Sequence, residues 1–164
     1  MKKSDALRAI EHEIEVDAPV AEVWTAWTTN EGVKTFFAPA SNVDLKVDGP
    51  YEIFFDPEAA PGKRGADGAR ILAFQAGKML SFTWNAPLHM PEIRMQWTHV
   101  VVRFFAAGPT TTRVLIRHDG WGEGDNWDQA FEYFSRAWKD VVLPRLQHRF
   151  KVGPVDWKSS PYGV

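Results

Sequence analysis

Cysteine is missing from all 164 residues, which removes disulfides, thiolate metal sites and cysteine nucleophiles together and points to the reducing cytoplasm. Basic runs are missing too: nothing longer than Lys63-Arg64 occurs, and the net charge is -2. Nucleic acid and anionic membranes both need a concentrated basic surface, so neither is an expected partner. No apolar run is long enough to span a bilayer. Charged residues interrupt the opening MKKSDALRAIEHEIEV before the apolar centre of a signal peptide could form. Internal repeats and low-complexity segments are also absent. What remains fits one domain with one core, over about residues 9–150, followed by a tail over about 151–164.

Rings are plentiful. Aromatics make up 13% of the chain and apolar residues 45%, which excludes a disordered or fibrous chain. Ile10, Ile14 and Val16 lie in an alternating stretch that predicts a first strand. Pro19 suits the first position of a helix that carries Val20, Val23, Trp24 and Trp27 at helical spacing. TTNEGVKTFFAP predicts a second short helix ended by Pro39. Six runs with strand chemistry follow: NVDLKV, YEIFF, ARILAFQ, MLSFTWN, MQWTHVVVRFF and TTRVLIRH. Turn residues in KVDGPYE and FAAGPTTTR predict hairpins, hence antiparallel pairing. DPEAAPGKRGADG, residues 56–68, reads as a mobile loop over a sheet edge or a cavity mouth.

The last predicted element is a long amphipathic helix. Trp127, Phe131, Phe134, Trp138, Val141 or Val142, and Leu146 recur at steps of three and four. Asn126 fits an N-cap with Gln129 in the capping-box position, acids precede bases along the helix, and Pro144 is expected to bend it. The expected fold class is α+β: a curved antiparallel sheet of about seven strands, two short helices after the first strand, and the long helix packed on the concave face. Such a layout can leave a hollow lined by rings and branched chains.

Most catalytic patterns fail. GWGEGD has spaced glycines, but Asp125 stands where the dinucleotide pattern needs its last glycine, and Glu123 and Asp128 would repel a pyrophosphate. The five histidines show no metal-binding spacing, so no metal and no cofactor are expected. No serine occupies a nucleophile elbow. His118 shares a strand face with Val114 and Ile116 and so points inward, where it either orients a ligand's polar end, moves a proton, or is a hydrogen-bonded structural histidine. An isolated inward histidine is not a catalytic constellation, which favours the structural role.

VDAPVAEVWTAWT, GKMLSFTWN, THVVVRF with TRVLIRHDGWG, and AFEYFSRAWKDVVLPRL, in this order, resemble the SRPBCC superfamily of START-like, helix-grip proteins. Within it they are similar to the branch named for the activator of the heat-shock chaperone ATPase. Phe36-Phe37 stands where that family often has tryptophans. The resemblance implies a cavity between sheet and long helix that takes an apolar or amphipathic small molecule.

The residues expected around it are Phe36 and Phe37; Ile53 and Phe55; Leu72 and Phe74; Phe82 and Trp84; Thr98, Val100, Val102 and Phe104; Val114, Ile116 and His118; and Phe131, Phe134 and Trp138. Arg94 and Gln96, ahead of Thr98 on the same predicted strand face, are expected at its polar end. The protein is expected to be a monomer or homodimer, with chaperone contact possible but not expected. Two rival readings are a cyclase- or hydrolase-type enzyme using His118 with Asp119 or Glu52, and a protein-interaction module of the co-chaperone kind.

Overall fold

A computed structural model describes residues 8–158; the first seven residues of the opening and the last six of the tail lie outside them. Strand β1, Ile10–Val16, is followed by helices α1, Val20–Thr28, and α2, Asn30–Phe36. Pro19 stands one residue earlier than expected, at the N-cap of α1 with φ -62° and ψ 152°, and points the chain into the helix. Thr29 separates the two helices, its side chain accepting the Gly32 N–H at 2.9 Å. Gly32 is required there, since a Cβ would come within 2.3 Å of the Thr25 carbonyl oxygen.

Seven strands are present among the described residues, divided five and two. The main antiparallel sheet has the order β1-β7-β6-β5-β4, with β4 Ile71–Gln75, β5 Met79–Trp84, β6 Thr98–Gly108 and β7 Thr111–Asp119. Strands β2, Ala40–Val43, and β3, Tyr51–Phe54, form a separate hairpin. It meets β4 through a narrow bridge, Pro50 opposite Arg70, where the Tyr51 N–H reaches the Ala69 carbonyl at 2.8 Å. The hydroxyl of Tyr51 donates to the Trp27 carbonyl at 2.8 Å and ties this hairpin to α1. The run NVDLKV leaves strand geometry after Val43, because Lys46 N–H folds back on Asp44 and Asp48 adopts a φ of 64°.

Two departures from simple alternation matter for the site. Strand β4 is bulged: Ile71 pairs with Phe82, but the next pair is Ala73 with Ser81. The extra residue shifts the inward set, so Ile71 is buried and Leu72 is turned to solvent. Strand β6 begins at Thr98 and not at Met95, since Pro91 through Gln96 is turn, with Gln96 N–H bonded to the Ile93 carbonyl.

The long C-terminal helix runs as α3, Asp125–Arg136, a π-helical turn, Ala137–Val142, and α4, Leu143–Lys151. Gly124, with φ 109°, takes the N-cap position and Asn126 lies inside the first turn, so no side chain caps this end. Gly124 reaches a conformation that asparagine adopts less easily. The expected bend at Pro144 takes the form of the π turn just before it, where Leu143 N–H reaches back to the Trp138 carbonyl. Pro144 then lies in the first turn of α4, where a missing N–H costs little. Trp127, Ala130, Phe134, Trp138, Val142 and Leu146 form the buried face. Beyond α4 the chain returns to α2: Val155 N–H bonds to the Thr35 carbonyl, and the Trp157 indole donates to the Lys34 carbonyl at 2.7 Å.

Candidate functional site

A cavity of about 370 Å³ lies between the C-terminal helix and the edge formed by β3, the end of β5 and the loops after them. Phe37, at the end of α2, Trp84, at the end of β5, and Trp138, in the π turn, make its apolar wall. Their ring centroids stand 5.7–5.8 Å apart pairwise. Phe134 adds a ring from α3, and Phe55 one from the mouth, 6.1 Å from Phe37. Phe55 and Leu88 are 45% and 50% exposed, so the cavity opens to solvent there.

Polar groups gather on the loop side. The Arg94 guanidinium is buried, with Nη1 donating to the Ala86 carbonyl at 2.5 Å and Nη2 to those of Gly62 and Gly65 at 2.9 and 2.8 Å. It thereby joins the two loops that border the cavity. Asp67 organises the first of these, accepting the N–H groups of Gly62, Arg64 and Gly65 and the Arg64 Nε. Burial alone would raise the Asp67 carboxyl, but Arg64 and the three backbone donors hold it below the usual carboxylate range. Burial draws the Arg94 guanidinium below its usual value, with Asp67 opposing. The loop over residues 56–68, expected to be mobile, is therefore tied down by hydrogen bonds at the cavity mouth.

His118 lies away from the lining. It is fully buried in β7, its ring 4.3 Å from that of Trp121 and 5.2 Å from that of Phe134. The Trp138 indole donates to Nδ1 at 3.1 Å. An indole can only donate, so Nδ1 is unprotonated, and the ring proton sits on Nε2, 2.7 Å from the Thr98 hydroxyl. Thr98 passes its own proton to the Trp84 carbonyl at 3.2 Å. Desolvation, with a smaller contribution from the charge of His99, pushes His118 down to about 3. The acids proposed beside it are elsewhere: Asp119 pairs with His99 and Arg117, and Glu52 with Asn42 and the Gly68 N–H. What this network does is hold Trp138 against Trp84 in the cavity wall.

Of the rings named from sequence, Phe37, Phe55, Trp84, Phe134 and Trp138 border the cavity. Phe36, Ile53, Phe82, Val100, Val102, Phe104, Val114 and Ile116 are buried core behind it. Phe131 is partly buried against Trp121, and Phe74 packs on the core without reaching the cavity. Leu72 is a correction, since the bulge in β4 leaves it 45% exposed. Arg94, Gln96 and Thr98 do not share a strand face, because the chain turns before Thr98; Arg94 reaches the cavity from the turn, and Gln96 is exposed. Sequence reading missed Arg64, Asn85, Tyr133 and Arg145. The helical step from Trp138 to Arg145 was a usable signal for the last of these.

Among the described residues no group of His, Asp and Glu side chains is placed to hold a metal ion, and no helix is long and apolar enough to cross a membrane. The glycines of GWGEGD have packing and turn roles. A Cβ on Gly122 would lie 2.3 Å from the Trp127 indole nitrogen, and Gly120 turns with φ 89°.

The chain belongs to the family described as activator of Hsp90 ATPase homolog 1-like protein, which matches residues 17–151. No curated protein matches it in sequence. In structure it is similar to the Aha1 dimer from Colwellia psychrerythraea, with a TM-score of 0.66 and 20% identity over 89% of this chain and 98% of that one. It is also similar to PFC0360w, an HSP90 activator from Plasmodium falciparum, with a TM-score of 0.63 and 14% identity over 85% and 93%. A third likeness is to DynU16, a protein of the dynemicin biosynthetic locus, with a TM-score of 0.66 and 16% identity over 95% of this chain but 49% of that one. At these identities the likeness is one of fold, and the fold is the helix grip.

Proposed function

We propose that this domain binds an apolar or amphipathic small molecule in the cavity between the sheet and the C-terminal helix. The observation that carries this reading is the wall of Phe37, Trp84 and Trp138, three stiff rings in mutual contact beside open volume. A packed core would fill that volume; rings locked by one another and by His118 leave it shaped. An enzyme working through His118 finds less support, because both ring nitrogens are engaged and the ring does not border the cavity. The protein acts as a monomer or homodimer in a reducing compartment, and the chaperone in the family's description is not its expected partner.

Native mass spectrometry of freshly purified protein tests the proposal first, through a co-purifying small molecule. Titration with N-phenyl-1-naphthylamine tests it again: binding is saturable at one site and changes with Trp84→Phe, which moves the wall without adding a polar group. Absence of both a bound molecule and saturable dye binding refutes it.

A further inference from the structure

We infer that the ligand of this cavity is an amphipathic anion, its apolar body against Phe37, Trp84 and Trp138 and its acidic head at the corner made by Arg64 and Arg94. The inference rests on the binding role proposed above and specifies the chemistry of what is bound.

The charge around the cavity is one-sided. Lys63, Arg64, Arg94 and Arg145 line it, against a single lining carboxylate, Asp56. Arg94 is the most telling. It is 8% exposed, and its hydrogen bonds go to three backbone carbonyls, which satisfy donors but carry no net charge. The nearest carboxylate, Asp67, is 3.9 Å from Nη2 and is already held by Arg64 and three backbone N–H groups. Two guanidinium groups thus share one carboxylate at the edge of an apolar hollow. A buried cation is costly unless a negative charge is close, and an anion entering this corner supplies one.

The donors to receive it are in place. Arg64 spends Nε on Asp67 and lays its guanidinium plane 4.1 Å over the Phe54 ring, while its two Nη groups take no partner among the described residues. A planar guanidinium matches a carboxylate or sulfonate edge. An aromatic wall can also recognise a cation by its ring faces, but four basic residues at the same cavity repel one. The corner therefore selects the sign of the head group, and the wall accepts many apolar bodies.

Two dyes with the same ring body separate the head group from the hollow: 1-anilinonaphthalene-8-sulfonate is an anion, and N-phenyl-1-naphthylamine is neutral. Both are expected to bind wild-type protein at one site, the sulfonate roughly tenfold tighter or more at low salt, as one added charge-assisted contact implies. That preference shrinks as salt is raised, and it collapses in Arg64→Gln and Arg94→Gln while neutral-dye binding is kept. Decanoate displaces the neutral dye at lower concentration than decanol does. Arg94 also joins two loops, so if Arg94→Gln does not fold, the wild-type ratio and Arg64→Gln decide the matter. Equal affinity for the two dyes overturns the anion inference and leaves the cavity reading standing. Failure of both dyes to bind overturns the cavity reading, and this inference with it.

Discussion

Acid should weaken this fold through one histidine. His118 is neutral when folded, its Nδ1 committed to the Trp138 indole, and burial pushes it down to about 3. In the unfolded chain it titrates near 6.5. Its folded-state value is thus depressed, so the stability it provides is complete above the unfolded value and is lost as pH falls from about 6.5 toward 3. Between pH 7.5 and 5 the linkage amounts to about 2 kcal/mol, with no discount for solvent screening because the ring is fully buried. For a domain of this length that corresponds to about 4–8 °C in Tm.

Carboxylates also titrate on acidification, so the measurement is a difference of differences. Urea unfolding of wild type and His118→Gln is compared at both pH values, since glutamine is neutral throughout. The variant is less stable at pH 7.5, and its deficit narrows by about 2 kcal/mol at pH 5. Long-range nitrogen–proton NMR gives an independent reading: at pH 5 the ring should still be the neutral Nε2–H tautomer. A deficit that stays constant, or a folded-state midpoint near 6.5, would refute the reasoning.

Other outcomes follow from packing. Phe134 borders the cavity and is already 7% exposed, so Phe134→Ala should cost less than the about 3–5 kcal/mol of a fully packed ring, by urea unfolding. Phe82→Ala, at 0% exposure, should reach that range; equal costs would mean that the hollow is closed in solution. Gly122→Ala forces a Cβ against the Trp127 indole at 2.3 Å and should lower stability by about 1–3 kcal/mol. A chain ending before Asn126 should be molten, without near-ultraviolet circular dichroism; cooperative melting of that fragment would contradict the layout. Purified protein should leave the ATPase rate of its cognate chaperone unchanged, and a saturable stimulation would put the adaptor role first.

The order of elements was legible because each relies on short-range signals: alternation in β1, helical spacing from Val20 to Trp27, the Asp-Gly-Pro and Gly-Pro turns, and the ring stripe of α3. The errors arise where one residue is added or a run is cut short by tertiary contacts. The bulge in β4 inverts the face of Leu72 relative to Ile71 and Phe74, yet ILAFQ reads as an ordinary strand. Nothing local in MQW announces that β6 waits until Thr98; that start is set by Arg94, which is drawn across to the carbonyls of Gly62 and Gly65, far away in sequence. The inward direction of His118 was readable from Val114 and Ile116. Its partner was not, since Trp138 comes twenty residues later on another element.

The π turn over Ala137–Val142 makes residue count a determinant of cavity shape. A π turn amounts to one residue more than an α-helix needs over the same rise. Deleting a single residue from this segment, for example Lys139, which is exposed, should let the helix return to α geometry. Everything beyond would then rotate by about 100° relative to α3. Leu146 would swing off the core and Arg145 away from the cavity, and the Trp157 segment would lose its seat on α2 and α4. Within this helix, then, single-residue deletions are harsher than most substitutions. Length variation among relatives should be tolerated in the loops and selected against between Arg136 and Leu143.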